Sequence, residues 1–347
     1  MIKKIMNSMV LLGFILLIGC TKSGPTQLNV MTHDSFAVSE AIIKEFEQAN
    51  DVKVNIIMSG DTGSALNQAI LTKASPIADV FYGVDNTFLS RALSADIFDT
   101  YSSPILKDIP DQFQLDKSTR ALPVDYGDVC INYDKAYFTE KKLTVPQTLD
   151  DLIKPEYRGL LVVENPAVSS PGLAFLLATI ANYGPEGYLN YWQQLRANNL
   201  VVVNDWNTAY YTNFSGSTGK GLQPLVVSYN TDPAAEVIFA SEKLNEAPTA
   251  TLVGPDMCFR QIEFVGILKG THHLALAKKF VDFMLSRTFQ EDIPLKMFVY
   301  PVNSSASLPA EFIKFVQNPE KPASIAPEKI AANLDAWIMQ WRKTVLE

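Results

Sequence analysis

Histidine and cysteine are both scarce in this chain, with three of each among 347 residues. No Cys-x-x-Cys pair and no cluster of cysteine with histidine occurs, so a structural zinc site lacks its ligands. His-Glu-x-x-His, Gly-x-Gly-x-x-Gly and the phosphate-binding Gly-x-x-x-x-Gly-Lys-Ser/Thr are missing as well, which removes the motif grounds for a zinc peptidase, a dinucleotide site or a P-loop. There is no Gly-x-Ser-x-Gly turn, and His272 and His273 sit together at the start of a surface helix. Only His33 could serve a nucleophile, and nothing in the sequence supplies its acid and serine partners. No enzyme activity is expected. Basic charge is in deficit too: 29 Lys and Arg stand against 37 Asp and Glu, for a net charge of −8. That balance argues against nucleic acid or an anionic lipid surface as the main partner, and leans slightly towards a cationic ligand.

No apolar run reaches the ~20 residues that a membrane span needs. The longest, Met9 to Ile18, follows Lys3 and Lys4 and ends in Leu17-Ile18-Gly19-Cys20. A basic start, a short apolar stretch and a small residue before cysteine form an export signal with a lipoprotein box. Residues 1–19 are therefore expected to be removed and Cys20 to carry the lipid, palmitate among its acyl chains, with residues 20–26 as a tether. Loss of Lys3 and Lys4 takes the net charge from −8 to −10. Cys130 and Cys258 then remain; they could pair in an oxidising compartment, and the sequence leaves open whether they meet.

About 320 residues are left, enough for two lobes with separate cores. The first hundred alternate strand and helix: strands at 27–32, 52–58 and 78–84, helices at 35–50, 63–74 and from 87. Such an order gives a mainly parallel sheet covered on both faces. Residues 122–133 hold Pro123, Gly127 and two strand-like runs, as a crossing between lobes would. A middle segment has its own strands (159–164, 200–203, 224–228) and two helices, 171–183 and 185–196. Residues 257–268 read as a long returning strand, followed by helices at 274–286 and 327–346. The fold class is α/β, a two-lobed clamshell: lobe 1 from 27–123 and 264–305, lobe 2 from 124–263, and a helical segment over 306–347. Its ligand would lie between the lobes at the carboxyl ends of the strands.

Three strand-to-helix loops have the form of polar-ligand sites, because a helix start offers free N–H groups. They are Thr32-His33-Asp34-Ser35-Phe36, with Asp34 or Ser35 as cap, Ser59-Gly60-Asp61-Thr62-Gly63-Ser64, and Val168-Ser169-Ser170-Pro171-Gly172, with Ser170 as cap. Two further strand ends carry aromatics among polar groups: Asp205-Trp206-Asn207 with Tyr210-Tyr211, and Ser228-Tyr229-Asn230-Thr231-Asp232-Pro233. Aromatic faces stack on flat rings and attract cations, which a nearby carboxylate can neutralise.

In order and spacing these segments resemble the thiamine-binding periplasmic proteins of ABC importers, members of the type 2 periplasmic binding protein superfamily. Further markers are Asp79-Val80 through Asp85-Asn86, Asp125-Tyr126-Gly127, Tyr133-Asp134-Lys135, Gln261-Ile262-Glu263 and Tyr300-Pro301-Val302. The resemblance implies capture of thiamine or its phosphate esters, unchanged and without cofactor or metal, and delivery to a membrane permease by a lipid-anchored monomer outside the inner membrane, periplasmic or at the cell surface. It places ligand contacts on Asp61, Thr62, Ser169, Ser170, Trp206, Tyr229, Asn230, Thr231 and Asp232. His33, Asp34, Asp125, Tyr126, Tyr210 and Phe298 are additional candidates. Trp206 and Tyr229 would flank the rings, with Asp232, Asp125 or Asp205 facing the thiazolium. A charge at Asp232 would then disfavour a phosphorylated ligand. Ferric iron, a polyamine or another small solute on the same fold stand as alternatives, and a secreted hydrolase or adhesin more distantly.

Overall fold

A computed structural model describes residues 26–218 and 220–347 of the chain. The export signal expected over residues 1–19 and the lipid-bearing Cys20 lie outside the described residues. β1 (Thr26–Thr32), α1 (Glu40–Asn50), β2 (Val52–Met58), α2 (Thr62–Leu71), β3 (Val80–Asp85) and α3 (Leu89–Ser94) alternate as expected. β1 pairs in parallel with β2 and with β3. β3 is buried throughout, as a strand covered on both faces must be.

After the short β4 (Phe98–Asp99) comes β5 (Leu122–Asp134), then α4 (Lys135–Lys141), β6 (Leu161–Glu164), α5 (Ser170–Ala197) and β7 (Val201–Val203). α6 (Ser215–Thr218), β8 (Leu225–Tyr229), α7 (Asp232–Ile238), β9 (Thr249–Leu252) and β10 (Phe259–Leu268) follow. The chain closes with α8 (Leu274–Leu285), α9 (Arg287–Lys296), β11 (Tyr300–Pro301), α10 (Ala310–Phe315) and α11 (Pro327–Val345). The main path of the sheet runs β2-β1-β3-β10-β5-β8-β6-β7. β6 lies parallel to β7 and β8, so a parallel group stands at each end. Between them β5 and β10 run antiparallel to each other and to their outer neighbours. β5 changes partner along its length: residues 122–129 pair with β10 and residues 129–133 with β8.

One question left open by the sequence is answered, and one expectation needs correction. Cys130 and Cys258 form a disulfide. Cys258 immediately precedes β10, and the Val129↔Phe259 register brings it beside Cys130 on β5. The first helix begins at Glu40 rather than near residue 35, and its cap position is Ser39, not Asp34 or Ser35. The backbone N–H and hydroxyl of Ser39 both donate to the Asp292 carboxylate on α9, at 2.6 Å each. That tie keeps the chain from His33 to Val38 as a loop. Phe36, which the helical periodicity had included, instead packs edge-on against Tyr82 at 5.3 Å.

One core fills the space between the sheet and α1, α8 and α9, around Phe46, Phe280, Met284 and Phe289. A larger one runs from α2 and α3 through α5 to α11. The apolar stripe of α11 is buried as read, at Ile330, Leu334, Trp337 and Trp341. Trp341 meets Trp192 of α5 edge-on at 5.4 Å. α5 breaks at Gly184, whose φ of 71° only glycine adopts easily, ahead of Pro185. Among the described residues no helix is long and apolar enough to cross a membrane.

The two central strands are also pinned by charge. Arg260 on β10 donates from Nε and Nη2 to both carboxylate oxygens of Asp128 on β5, at 2.9 and 2.8 Å. The Asp128 side chain is only 1 % exposed, whereas Arg260 keeps 40 % of its side chain in water. Arg260→Ala would leave a buried carboxylate without its partner. It is expected to lower stability in urea by about 2–4 kcal/mol, eased by the solvent that already reaches the guanidinium. A shift below about 1 kcal/mol would show the pair to be surface-like.

Candidate functional site

The parallel strands β1, β2, β6, β7 and β8 end around one cavity of about 250 Å³, and the loops that follow them form its walls. The loops after β1 and β2 are stitched together. Gly60 N–H donates to the Asp34 carboxylate at 2.8 Å, and Asp34 N–H to the Gly60 carbonyl at 3.0 Å. Asp61 caps α2, accepting from Thr62 N–H at 2.7 Å, and its other oxygen accepts from Trp206 N–H at 3.3 Å. Gly63 N–H donates to the Val168 carbonyl at 3.0 Å, which brings the starts of α2 and α5 together. A Cβ at Gly63 would stand 2.9 Å from that same oxygen, so the approach requires glycine. α5 is capped at Ser169, one residue earlier than expected, and Pro171 falls in its first turn. The Ser170 hydroxyl is buried with no protein partner, beside a helix start that favours negative or polar groups.

The aromatic wall comes from the second parallel group. Trp206 stacks on Tyr210 at 5.0 Å, and its Nε1–H donates to Ser228 Oγ at 2.7 Å. Asp205 caps the turn behind it, accepting from Thr208 N–H and hydroxyl. Tyr229 closes β8; a Cβ on Gly127 of β5 would lie 2.7 Å from its ring, so the missing side chain makes room for it. Phe298 occupies the left-handed region at φ 60°, a costly conformation for a bulky residue. Its carbonyl accepts from the Thr231 hydroxyl.

Behind the cavity lies a chain of four titratable side chains. The Tyr82 hydroxyl stands 2.6 Å from both Asp125 Oδ2 and Glu263 Oε2. One hydroxyl proton cannot serve two ionised carboxylates. Burial and the Glu263 charge hold Asp125 well above the usual carboxylate range. Asp125 therefore keeps its proton and gives that hydrogen bond to Tyr82, which donates onward to Glu263. Burial would push Glu263 up as well, but His33, Tyr82 and Asp125 outweigh it and hold this carboxyl below its ordinary value. Burial alone would lower His33; Glu263, Asp61 and Asp34 together keep it above 6.5. Burial raises Asp61, against the opposing pull of Ser169, Thr62 and His33.

Of the sequence candidates, His33, Asp34, Asp61, Thr62, Ser170, Trp206, Tyr229 and Phe298 line the cavity. Ser169 is fully buried beside Asp61. The other candidates point elsewhere. The Asn230 amide is held by Gln317 and Asn318, and Thr231 supports Phe298 rather than the cavity itself. Tyr126 is stacked between Phe113 and Tyr300. Asp232 is 1 % exposed and accepts from Asn132 at 2.5 Å. Together with Tyr210 and Glu236, it borders a neighbouring groove instead. Burial holds Asp232 well above the usual carboxylate range, and Asn132 takes its Oδ2. None of the three acids expected to face a cation is part of this cavity's lining: Asp232 pairs with Asn132, Asp125 sits behind Tyr82, and Asp205 caps a turn.

The carboxylates that do line the cavity are Asp34, Asp61 and Glu263, opposed by Lys296. Glu263, Lys296 and Met297 were not among the ligand contacts expected, whereas Asn207 and Tyr211 belong to the aromatic loop picked out from the sequence. Glu263 could have been suspected as an acid in the middle of an apolar strand. Nothing local marks Lys296 or Met297, which arrive at the end of α9. Among the described residues, no group of three His, Cys, Asp or Glu side chains stands together as a metal-binding set.

The family model for bacterial extracellular solute-binding proteins matches residues 75–320. The thiamine-binding periplasmic protein of Salmonella typhimurium is 30 % identical over 324 residues, covering 92 % of this chain and 93 % of that one. That of Brucella melitensis biotype 1 is 31 % identical over 323 residues, covering 91 % of each. A solved structure described as a periplasmic thiamin binding protein superposes with a TM-score of 0.80 at 28 % identity, covering 92 % of this chain and 96 % of the other. The fold is that of the type 2 periplasmic binding proteins, and these relatives are binding proteins rather than enzymes. A small-molecule ligand, a transporter partner and a periplasmic location come with that kinship. The chain belongs to the bacterial extracellular solute-binding protein family, among the relatives of the thiamine-binding periplasmic proteins.

Proposed function

We propose that the protein captures thiamine, free or as a phosphate ester, and hands it to the permease of an ABC importer. The observation that carries this reading is the make-up of one cavity, where Trp206 and Tyr229 stand with the carboxylates Asp61 and Glu263. Flat rings bearing one positive charge need both kinds of wall. The kinship to thiamine-binding periplasmic proteins, over more than nine-tenths of each chain, points the same way.

Capture works by closure of two lobes, residues 27–123 with 264–305 and residues 124–263, while residues 306–347 pack alongside. β5 and β10 are the connections that bend. The contacts of Gly63 with Val168 and of Asp61 with Trp206 cross the cleft and belong to the closed state. A ligand touching both walls favours that state by its differential affinity. The chain performs no chemistry on its ligand and acts as a monomer. A lipid on Cys20, exposed by removal of residues 1–19, holds it near the permease. Ferric iron fits less well, because the Tyr210 hydroxyl donates to Glu236 at 2.7 Å on the side of the neighbouring groove.

Calorimetric titration of the ligand-stripped chain with thiamine, its monophosphate and its diphosphate tests the reading. One-to-one binding of at least one of them is expected. Absence of heat with all three would overturn it and turn attention to other small cations.

A further inference from the structure

We propose that Glu263 is the residue that selects for positive charge in this cavity, and that an incoming cation displaces the proton of His33 from it. The inference rests on the cation-capture reading above. It starts from the geometry of one side chain. His33 Nδ1 lies 2.9 Å from the Ser35 hydroxyl, and His33 Nε2 lies 3.4 Å from Glu263 Oε2. A hydroxyl can donate or accept. With the imidazole neutral and its proton on Nε2, Ser35 donates to Nδ1. With the imidazole protonated, Nδ1–H donates to Ser35. Both states keep Nδ1 paired, so the ring can gain or lose a proton without moving.

Glu263 has no such freedom. Tyr82 donates to its Oε2 and Gln261 Nε2 to its Oε1 at 3.2 Å, which fixes the carboxylate against the cavity wall. His33 itself is held from below: Gly83 has φ 109°, and a Cβ there would fall 2.4 Å from the imidazole Cδ2. The other charged groups facing the pair are Asp34 in its own loop, Asp61 at the start of α2, Asp125 on β5 and Lys296 at the end of α9. Asp85, pushed up to about 7 by burial, also feels the Glu263 charge. Asp34 is solvent-exposed, Asp61 has its two oxygens taken by the N–H groups of Thr62 and Trp206, Asp125 keeps its proton, and Lys296 repels a cation. Glu263 is therefore a fixed, ionised acid of the wall, and among the described residues the His33 imidazolium is the neighbour able to give up a positive charge at physiological pH. Two positive charges against one buried carboxylate cost more than one. When a ligand cation takes its place beside Glu263, the imidazolium proton leaves for bulk water and the neutral ring stays.

The sign follows from linkage. Free protein holds the proton to a higher pH than the complex does, so acid opposes binding. Affinity for a monocation should fall by about tenfold per pH unit once the pH drops below the imidazole value of the free protein, and level off above it.

The test is titration with thiamine at pH 6, 7 and 8, in phosphate and in imidazole, whose different ionisation heats count released protons. Release approaching one proton per ligand at pH 6 and fading by pH 8 is expected. His33→Gln should bind with heats that no longer depend on buffer and with no acid slope, whatever its affinity. Glu263→Gln should lose the preference for a charged ligand over a neutral pyrimidine. Because the chain has only three histidines, the His33 ring can also be followed by NMR, and its titration should move to lower pH on binding. Proton release that survives in His33→Gln would assign it to Asp61 or Asp85 and overturn the proposal. Thiamine binding with buffer-independent heat at every pH would also overturn it while leaving the function intact. Absence of binding in every buffer would overturn both together.

Discussion

Trp206→Ala is expected to weaken thiamine binding by about 30- to 1000-fold, the ~2–4 kcal/mol of a buried aromatic anchor. The indole is rigid in the free protein, since its Nε1–H is bound to Ser228 and one face rests on Tyr210. The ligand therefore meets a surface whose ordering is already complete, which makes such a ring worth more than its area. Tyr211 stands edge-on to the same ring at 5.4 Å. The loss also has a folding side, because Trp206 belongs to a small cluster with Tyr210, Phe214 and Val226. Trp206→Phe separates the two effects: it keeps a stacking face and gives up only the bond to Ser228, so most of the affinity should remain. Titration at a temperature well below the melting transition of each variant reads the difference. An affinity for Trp206→Ala within threefold of the parent would place the ligand elsewhere in the cavity.

Trp206 stands out in the sequence as a ligand contact and Glu263 far less so, for a local reason. Asp61, Ser170, Trp206 and Tyr229 each end a strand or begin a helix, and in a parallel α/β sheet those positions converge on one side. Short-range pattern and topology suffice to find them. Glu263 lies mid-strand on β10 and reaches the cavity only because β10 runs antiparallel between β3 and β5. Lys296 and Met297 depend on where α9 ends. The same limit explains Asp232. At the end of β8 it looks like a ligand acid, but α7 begins there and Asn132 of β5 takes its carboxylate. The order of elements through β3, the kink in α5 and the buried stripe of α11 were legible because periodicity and proline or glycine punctuation decide them. The late start of α1 was not, because a contact with Asp292 on α9 outweighs the apolar spacing.

Removing the Cys130–Cys258 bond is expected to cost about 4–5 kcal/mol, because the cysteines are 128 residues apart and the bond restricts a long stretch of unfolded chain. Both sulfurs are fully buried among core residues, so replacing the pair by alanines removes the crosslink and leaves no unpaired polar group. Cys130→Ala/Cys258→Ala should unfold at a clearly lower urea concentration than the oxidised parent, with wild type in reductant between them or equal to the variant. Binding should change far less, by no more than about threefold. Cys130 lies opposite Ser228 in the β5–β8 register, directly behind the serine that anchors Trp206. That register is held independently by the backbone ladder from Val129 to Tyr133, and Arg260 with Asp128 holds β10 to β5 nearby. The bond therefore acts mainly on the unfolded chain and not on the shape of the cavity. A loss of stability below about 1 kcal/mol would show that the reduced, unfolded chain already keeps β5 and β10 close. A large loss of affinity in the folded variant would instead make the disulfide part of the binding wall.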